Sequence, residues 1–200
     1  MSGFDDVIFA AAGELEIVQA QREHLTIEAE PAILRRVTSE VHGRQLVLGF
    51  TSGNVIAREP IRFRLEVPNL RRLDLQSAGH VHLGPFDVER LSLRLSGSGD
   101  IRLDRLNAQH FALRLSGSGA VSVLLGQVDS QRIELGGSGT ADTAGLTSQT
   151  AEVSITGSGD IRLVALKHLQ ASIVGSGSVR YSGNPQLVRS ITGAGEIEHE

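Results

Sequence analysis

The sequence predicts an all-β chain wound as a parallel β-solenoid, and three observations predict it. A Gly-Ser-Gly triplet recurs at a nearly fixed period. Apolar and polar residues alternate along each copy. No stretch of helical period interrupts residues 75–200.

The triplets begin at Gly97, Gly117, Gly137, Gly157 and Gly175, with imperfect copies at Ser77-Ala78-Gly79 and Gly193-Ala194-Gly195. The successive spacings are 20, 20, 20, 20, 18 and 18 residues. A period near 20 marks a solenoid, in which each repeat buries its apolar face only against its neighbours. Two residues before each triplet stand Leu75, Leu95, Leu115, Leu135, Ile155, Ile173 and Ile191. Four residues after its first position stand Val81, Ile101, Val121, Ala141, Ile161, Val179 and Ile197, and two further on Leu83, Leu103, Val123, Thr143, Leu163, Tyr181 and His199. A period of two means extended backbone with one face inside. The same parity puts both glycines of a triplet inward and its serine outward. A strand of about ten residues is therefore expected to run through each triplet. A second apolar column, Phe86, Leu106, Leu125, Leu146 and Leu166, follows a corner. One copy then makes one coil of 18–20 residues, and coils stacked at about 4.8 Å give six or seven turns over 75–200.

Glycine in a strand costs ~0.5–1 kcal/mol against alanine. The paired columns Gly97/Gly99, Gly117/Gly119, Gly137/Gly139, Gly157/Gly159 and Gly175/Gly177 therefore need a reason. Either φ is positive there or the opposite wall comes too close for a Cβ. A phosphate-cradling loop needs a following helix and usually a lysine. Strand residues follow instead, and Lys167 is the one lysine in the chain. Calcium-binding nonapeptide repeats carry a regular Asp, but the residue after the triplet is Asp in two of seven copies, Asp100 and Asp160.

Residues 4–74 lack the triplet but keep the alternation in Leu15–Ile17, Leu25–Ile27, Leu46–Leu48 and Ile61–Val67, with Pro31, Pro60 and Pro68 between them. They are expected to start and cap the solenoid, because an open coil exposes unpaired backbone. Pro31–Glu40 is an alternative short helix. The chain is thus divided into an N-terminal cap, 4–74, and the repeat, 75–200, of one continuous domain.

Composition narrows the chemistry. Of 200 residues, 40% are hydrophobic, yet only six Phe and one Tyr are aromatic and Trp is absent, so the core is built from aliphatic side chains. A net charge of −4 argues against binding through nucleic-acid phosphates. No apolar run reaches the roughly 18 residues of a membrane span. The absence of cysteine excludes thiol catalysis, disulfides and Cys-based zinc sites. Met1-Ser2-Gly3 leads into ordered-looking sequence with no export signal, which leaves a cytoplasmic location open.

In order along the chain stand Phe4-Asp5-Asp6-Val7, Leu15–Gln19, Leu25–Ala29, Leu46–Leu48, Val67-Pro68-Asn69-Leu70-Arg71-Arg72-Leu73 and then the Gly-Ser-Gly-Asp copies. In this order the sequence resembles the family of the putative auto-transporter adhesin head domain, the GIN domain. The resemblance implies a right-handed solenoid, export to the periplasm or surface of a bacterium, and no catalytic residues to carry over.

Seven histidines are scattered, and only His80 and His82 share one outward strand face. Arg102, in the next copy beside His82, opposes a cation there. The triplet face offers Ser96, Ser98, Ser116, Ser118, Ser138, Thr156, Ser158 and Ser176, with no histidine in register to activate them. Asp100 and Asp160 are three coils apart, ~14 Å, too far for a catalytic carboxylate pair. The chain is therefore expected to be no enzyme, and no cofactor or metal is expected. The candidate interaction surface is the outward set Arg94, Asp100, Arg102, Arg114, Asp160, Arg162 and Arg180, presented to a protein or glycan at the cell surface. The alternative is a self-assembling scaffold that stacks through its open ends, and oligomeric state is not legible. A polysaccharide-acting enzyme is a distant third.

Overall fold

The computed structural model describes residues 3–51 and 57–200. Met1 and Ser2, where the reading of a chain without an export signal begins, lie outside them. Alternation in the sequence becomes a single 19-stranded sheet wound on itself. The N-terminal part holds β1 (Asp6–Phe9), β2 (Glu14–Gln19), β3 (His24–Glu28), a one-turn helix α1 (Pro31–Leu34), β4 (Val37–His42), β5 (Gln45–Phe50) and β6 (Arg62–Val67). The repeats hold β7 (Arg72–Leu75), β8 (His80–Leu83), β9 (Phe86–Asp87), β10 (Arg90–Leu95), β11 (Asp100–Leu103), β12 (Leu106–Leu115) and β13 (Ala120–Val123). Longer strands follow, β14 (Gly126–Gly137), β15 (Thr140–Gly157) and β16 (Asp160–Gly175), then β17 (Ser178–Ser182), β18 (Gln186–Gly193) and β19 (Glu196–His199).

The coils stack in parallel register as a β-solenoid of about six turns. Each coil has three faces. The first ends at the triplet and aligns Leu75, Leu95, Leu115, Leu135, Ile155 and Ile173 inside. The second follows the triplet and aligns Val81, Ile101, Val121, Ala141, Ile161 and Val179. The third is short and aligns Phe86, Leu106, Gly126 and Leu146. Apart from the half-buried Gly126 these columns are buried, and apolar burial at about 25 cal/mol per Å² is the main term that holds the coils together.

The structure corrects four expectations. The triplet is the corner between the first and second faces, and the strands break there rather than run through. Only the second glycine is fully inside: Gly99, Gly119, Gly139, Gly159 and Gly177 are buried, whereas Gly97, Gly117, Gly137, Gly157 and Gly175 are half-buried. The glycines are not required by the opposite wall. A Cβ at Gly139 would sit 2.5 Å from the Gly119 carbonyl oxygen one coil earlier, and 2.5 Å from Leu115 Cδ2. The first glycine also turns the backbone in the later coils, with φ of 120° at Gly137 and 134° at Gly157. The third apolar column contains neither Leu125 nor Leu166, which are 63% and 42% exposed. Gly126 takes the place beside Leu125, and the column ends at Leu146, which pairs with no residue of the next coil.

The helix is also shorter than Pro31–Glu40. It ends at Leu34, and Val37–His42 pairs instead with β5. The β-branched Val37-Thr38 start and an available partner edge favour the strand.

The chain does not start at an end of the stack. β1 and β2, first in sequence, lie between β5–β6 on one side and β7–β8 on the other, parallel to both. β3 and β4 then run antiparallel on β6 and β5 and cover that end. Asp5 locks the insertion. Its backbone N–H donates to Arg44 O at 3.1 Å, its carbonyl accepts from Arg71 N at 2.7 Å, and its carboxylate accepts from Arg44 Nε at 3.0 Å. The edge-to-face rings of Phe9 and Phe63 pack this region, 5.2 Å between centroids.

The period falls from 20 to 18 through two register shifts, the loss of three residues after Thr143 and the gain of one after Ser148, where Ser148 pairs Ala165 and Thr150 pairs His168. Thr143 pairs Leu163 and Thr147 pairs Val164, so Ala144, Gly145 and Leu146 have no counterpart in the next coil. A buried polar group sits there. Gln131 Nε2 donates to Val164 O at 3.0 Å and to Ser148 Oγ at 2.9 Å; the single Thr143 hydroxyl proton is shared between Gln131 Oε1 at 3.0 Å and Arg162 O at 3.1 Å. These side chains hydrogen-bond the carbonyls beside the first shift, so the polar groups buried there are partnered.

Candidate interaction faces

The seven charged residues expected to form one surface divide between two faces. Arg94 and Arg114 lie on the first; Asp100, Arg102, Asp160, Arg162 and Arg180 lie on the second, across the triplet corner. Arg94 and Arg114 do stack in adjacent coils. Arg114 also meets Glu134 at 3.2 Å in the next coil, while Arg94 has no ion pair among the described residues.

On the second face most charges are spent within the molecule. Asp100 faces His80 Nδ1 at 3.2 Å and accepts from Ala120 N at 3.1 Å. Arg102 and His82 share Asp104, at 3.7 and 2.9 Å. Asp160 accepts from Ser178 Oγ at 2.5 Å. Arg162 bridges Glu200 at 3.1 Å and Asp142 at 3.7 Å, and the bond to Glu200 raises its already high pKa. Arg180 meets Glu198 at 3.5 Å. At the capped end, Arg62–Glu14 and Arg64–Glu16 pairs wall a groove of about 600 Å³ that reaches His80 and His82. Among the described residues no group of three His, Asp or Glu is placed to hold a metal ion.

One serine–histidine contact went unseen in the sequence. His110 Nδ1 and Ser130 Oγ lie 2.9 Å apart on the first face, brought together by the 20-residue register. No carboxylate hydrogen-bonds the His110 ring among the described residues, so the orienting third member of a nucleophile–base–acid set is not in place.

The third face was read only as polar corners, yet it carries the most regular set of side chains. Asp87, Asn107, Gln127 and Thr147 align in successive coils. Glu89, Gln109, Asp129 and Gln149 repeat at the adjoining corner. They line a shallow groove of about 900 Å³ floored by Val88, Ala108 and Leu166. At its upper end Gln19 replaces a missing strand: its side-chain amide donates to Asp87 O at 3.1 Å and accepts from Asp87 N at 2.9 Å. Asn107 Nδ2 donates to Asp87 Oδ1 at 2.6 Å, and Arg90 holds the Glu89 carboxyl below its ordinary value through a 2.8 Å hydrogen bond. The side chains of Gln109, Gln127, Asp129, Thr147 and Gln149 make no hydrogen bond or ion pair within the chain among the described residues. The signal was present in the sequence: amides, carboxylates and Thr recur at 20-residue intervals in both columns.

Solved structures share this architecture. A putative adhesin from Bacteroides fragilis NCTC 9343 superposes with a TM-score of 0.93 at 23% identity, over 100% of this chain and 93% of that one. A putative adhesin from Parabacteroides merdae ATCC 43184 gives 0.80 at 19% identity, covering 100% and 93%. A putative lipid binding protein from Parabacteroides distasonis ATCC 8503 gives 0.78 at 24% identity, covering 100% and 94%. At these identities the likeness is one of fold. No curated protein matches the chain. The family described as "Putative auto-transporter adhesin, head GIN domain" matches residues 3–185, and over that span the ordered motifs from Phe4-Asp5 to the triplets fall on the cap and the coils, so the chain belongs to this family.

Proposed function

We propose that the chain is a non-enzymatic interaction module of the bacterial envelope, exported to the periplasm or cell surface, which presents rigid polar β faces to a protein or glycan. One observation carries this reading: the outward side chains of the repeat strands stand on parallel backbone ladders, so polar groups repeat at about 4.8 Å along each face of the coils. Such a surface is already ordered before contact, and a partner loses little affinity to rearrangement. Membership in an adhesin head-domain family supports the same reading. The outward residues Arg94, Asp100, Arg102, Arg114, Asp160, Arg162 and Arg180 remain candidates for contact with a protein, and the third face for contact with a glycan. Glycan arrays and pull-downs with the purified domain test the proposal. Saturable binding in either is expected; silence in both, with the native protein retained in the cytoplasm, would contradict it.

A second reading, a scaffold built by end-to-end stacking, is favoured by β18 and β19. Each pairs on one edge only, and Val188 and Ile191 of β18 are 66% and 40% exposed. Against it stand the carboxylates of Glu196, Glu198 and Glu200 on an end that would have to meet another copy, although Arg180 and Arg162 meet the last two and leave Glu196 as the main like charge. Light scattering over a concentration series separates the two: a scaffold grows with concentration and a blocked rod does not.

A further inference from the structure

We propose that the groove on the third face is a binding site for a neutral, hydroxyl-rich glycan chain lying along the solenoid axis. This rests on the interaction-module reading above and adds to it a place and a ligand class. The unspent groups decide the place. Charges on the second face are largely paired within the molecule, whereas Gln109, Gln127, Asp129, Thr147 and Gln149 offer donors and acceptors with no partner in the chain among the described residues.

The chemistry of those groups decides the class. A side-chain amide donates and accepts at once, as a sugar hydroxyl does, so the free amides of Gln109, Gln127 and Gln149 match hydroxyls without regard to their orientation. The groove lining holds no basic side chain, which disfavours phosphate, sulfate or uronate ligands. Its negative charge is partly spent: Glu89 is paired with Arg90, whereas Asp87 accepts only from the neutral Asn107 amide and Asp129 has no side-chain partner among the described residues. A cationic partner is therefore the competing ligand class. An extended peptide finds no backbone to pair with in this face, because the strands of the third face already bond to the coils above and below.

Spacing fixes the orientation. From Asp87 to Thr147 the column climbs three coils, ~14 Å, at a step close to the length of one pyranose ring. Val88, Ala108 and Leu166 give the C–H faces of the sugars an apolar floor, in place of the aromatic platform that this chain lacks.

The test is an NMR titration of the full chain, following the side-chain NH₂ signals of Asn107, Gln109, Gln127 and Gln149. The probes are the neutral hexasaccharides of β1,4-glucan, β1,4-mannan, chitin and α1,4-glucan, hexagalacturonate, and a lysine-rich decapeptide. The expected result is a saturable shift of these four amides with at least one neutral hexasaccharide. Affinity should rise with chain length up to about three units and then level off. It should fall at least tenfold in Gln127→Ala/Gln149→Ala and stay unchanged in Arg114→Ala and Arg162→Ala. Both glutamines are on the surface, and an unchanged backbone spectrum of the double variant shows that the fold is kept. Shifts with the galacturonate or the peptide alone overturn the ligand class. Neutral-glycan binding that maps to Arg114 or Arg162 overturns the site while leaving the interaction module standing. No side-chain amide shift with any neutral hexasaccharide at ~10 mM, above the millimolar Kd of a weak site, overturns the proposal outright. Silence on glycan arrays and in pull-downs as well would bring down the interaction reading with it.

Discussion

The Thr143 hydroxyl donates to Gln131 Oε1 at 3.0 Å in the largely apolar interior of the solenoid, where both residues are buried. The pair stands where the coil loses residues, and together with Ser148 it bonds the carbonyls of Arg162 and Val164. Gln131 occupies an inward column between Phe111 and Ala151, so leucine fits the pattern there but not the polar groups. Gln131→Leu should cost ~1–3 kcal/mol, the range for stranding a buried polar partner, as read by urea melts. A variant as stable as the wild type would mean that these hydrogen bonds add nothing net.

Acid should release the lock at Asp5. Its side chain is buried against Arg44 and Arg71, and the hydrogen bond from Arg44 holds its carboxyl below the ordinary value in spite of desolvation. A depressed folded pKa gives stability that is present above the unfolded value, about 3.9, and is lost as pH falls through the folded one. Asp5→Asn should therefore be less stable than the wild type at pH 5–7. The gap should close as pH drops below about 4. Melts of both proteins across pH 2–7 check this; a gap that persists unchanged at pH 2 would show that the ion pair is not its source.

Gln19 should hold the start of the third face. Its amide supplies both bonds that a neighbouring strand would give Asp87, and also donates to Pro68 O at 3.1 Å. Gln19→Ala frees the Asp87 N–H, so hydrogen exchange at that amide should speed up at least ~10-fold, about 1.4 kcal/mol of local opening, while amides in the central coils stay protected. Unchanged exchange at Asp87 would assign the order of β9 to its pairing with β12 alone.

The coils were legible because the repeat prints its register: a column such as Leu95, Leu115 and Leu135 names its own neighbours in the stack. The cap was less so. Leu15–Ile17 and Leu46–Leu48 announce strands, but nothing local says that β1 and β2 enter the stack between later strands, because that order depends on which edges are left to pair. Leu125 and Leu166 misled for a similar reason. Counting by 20 places Leu125 one residue short of the column that Gly126 occupies, and the 18-residue coil pushes Leu166 outward. The charged residues were placed by parity but not by face, since parity gives in or out and the triplet corner decides which side of the solenoid is out. The groove on the third face was missed because its residues were read as turn formers rather than as columns.

The most direct measurement compares urea melts of Gly139→Val and Ser138→Val, for it decides whether the repeated triplet is a corner of the architecture or a surface loop open to a ligand. Gly139 is buried against Gly119 and Leu115, and the exposed Ser138 stands beside it. The account predicts a loss of ~1–3 kcal/mol or more for Gly139→Val and a change within ~0.5 kcal/mol for Ser138→Val. Damage from Ser138→Val with Gly139→Val tolerated would reverse the register of the corner. Two neutral variants would contradict the stacking role of the glycines altogether.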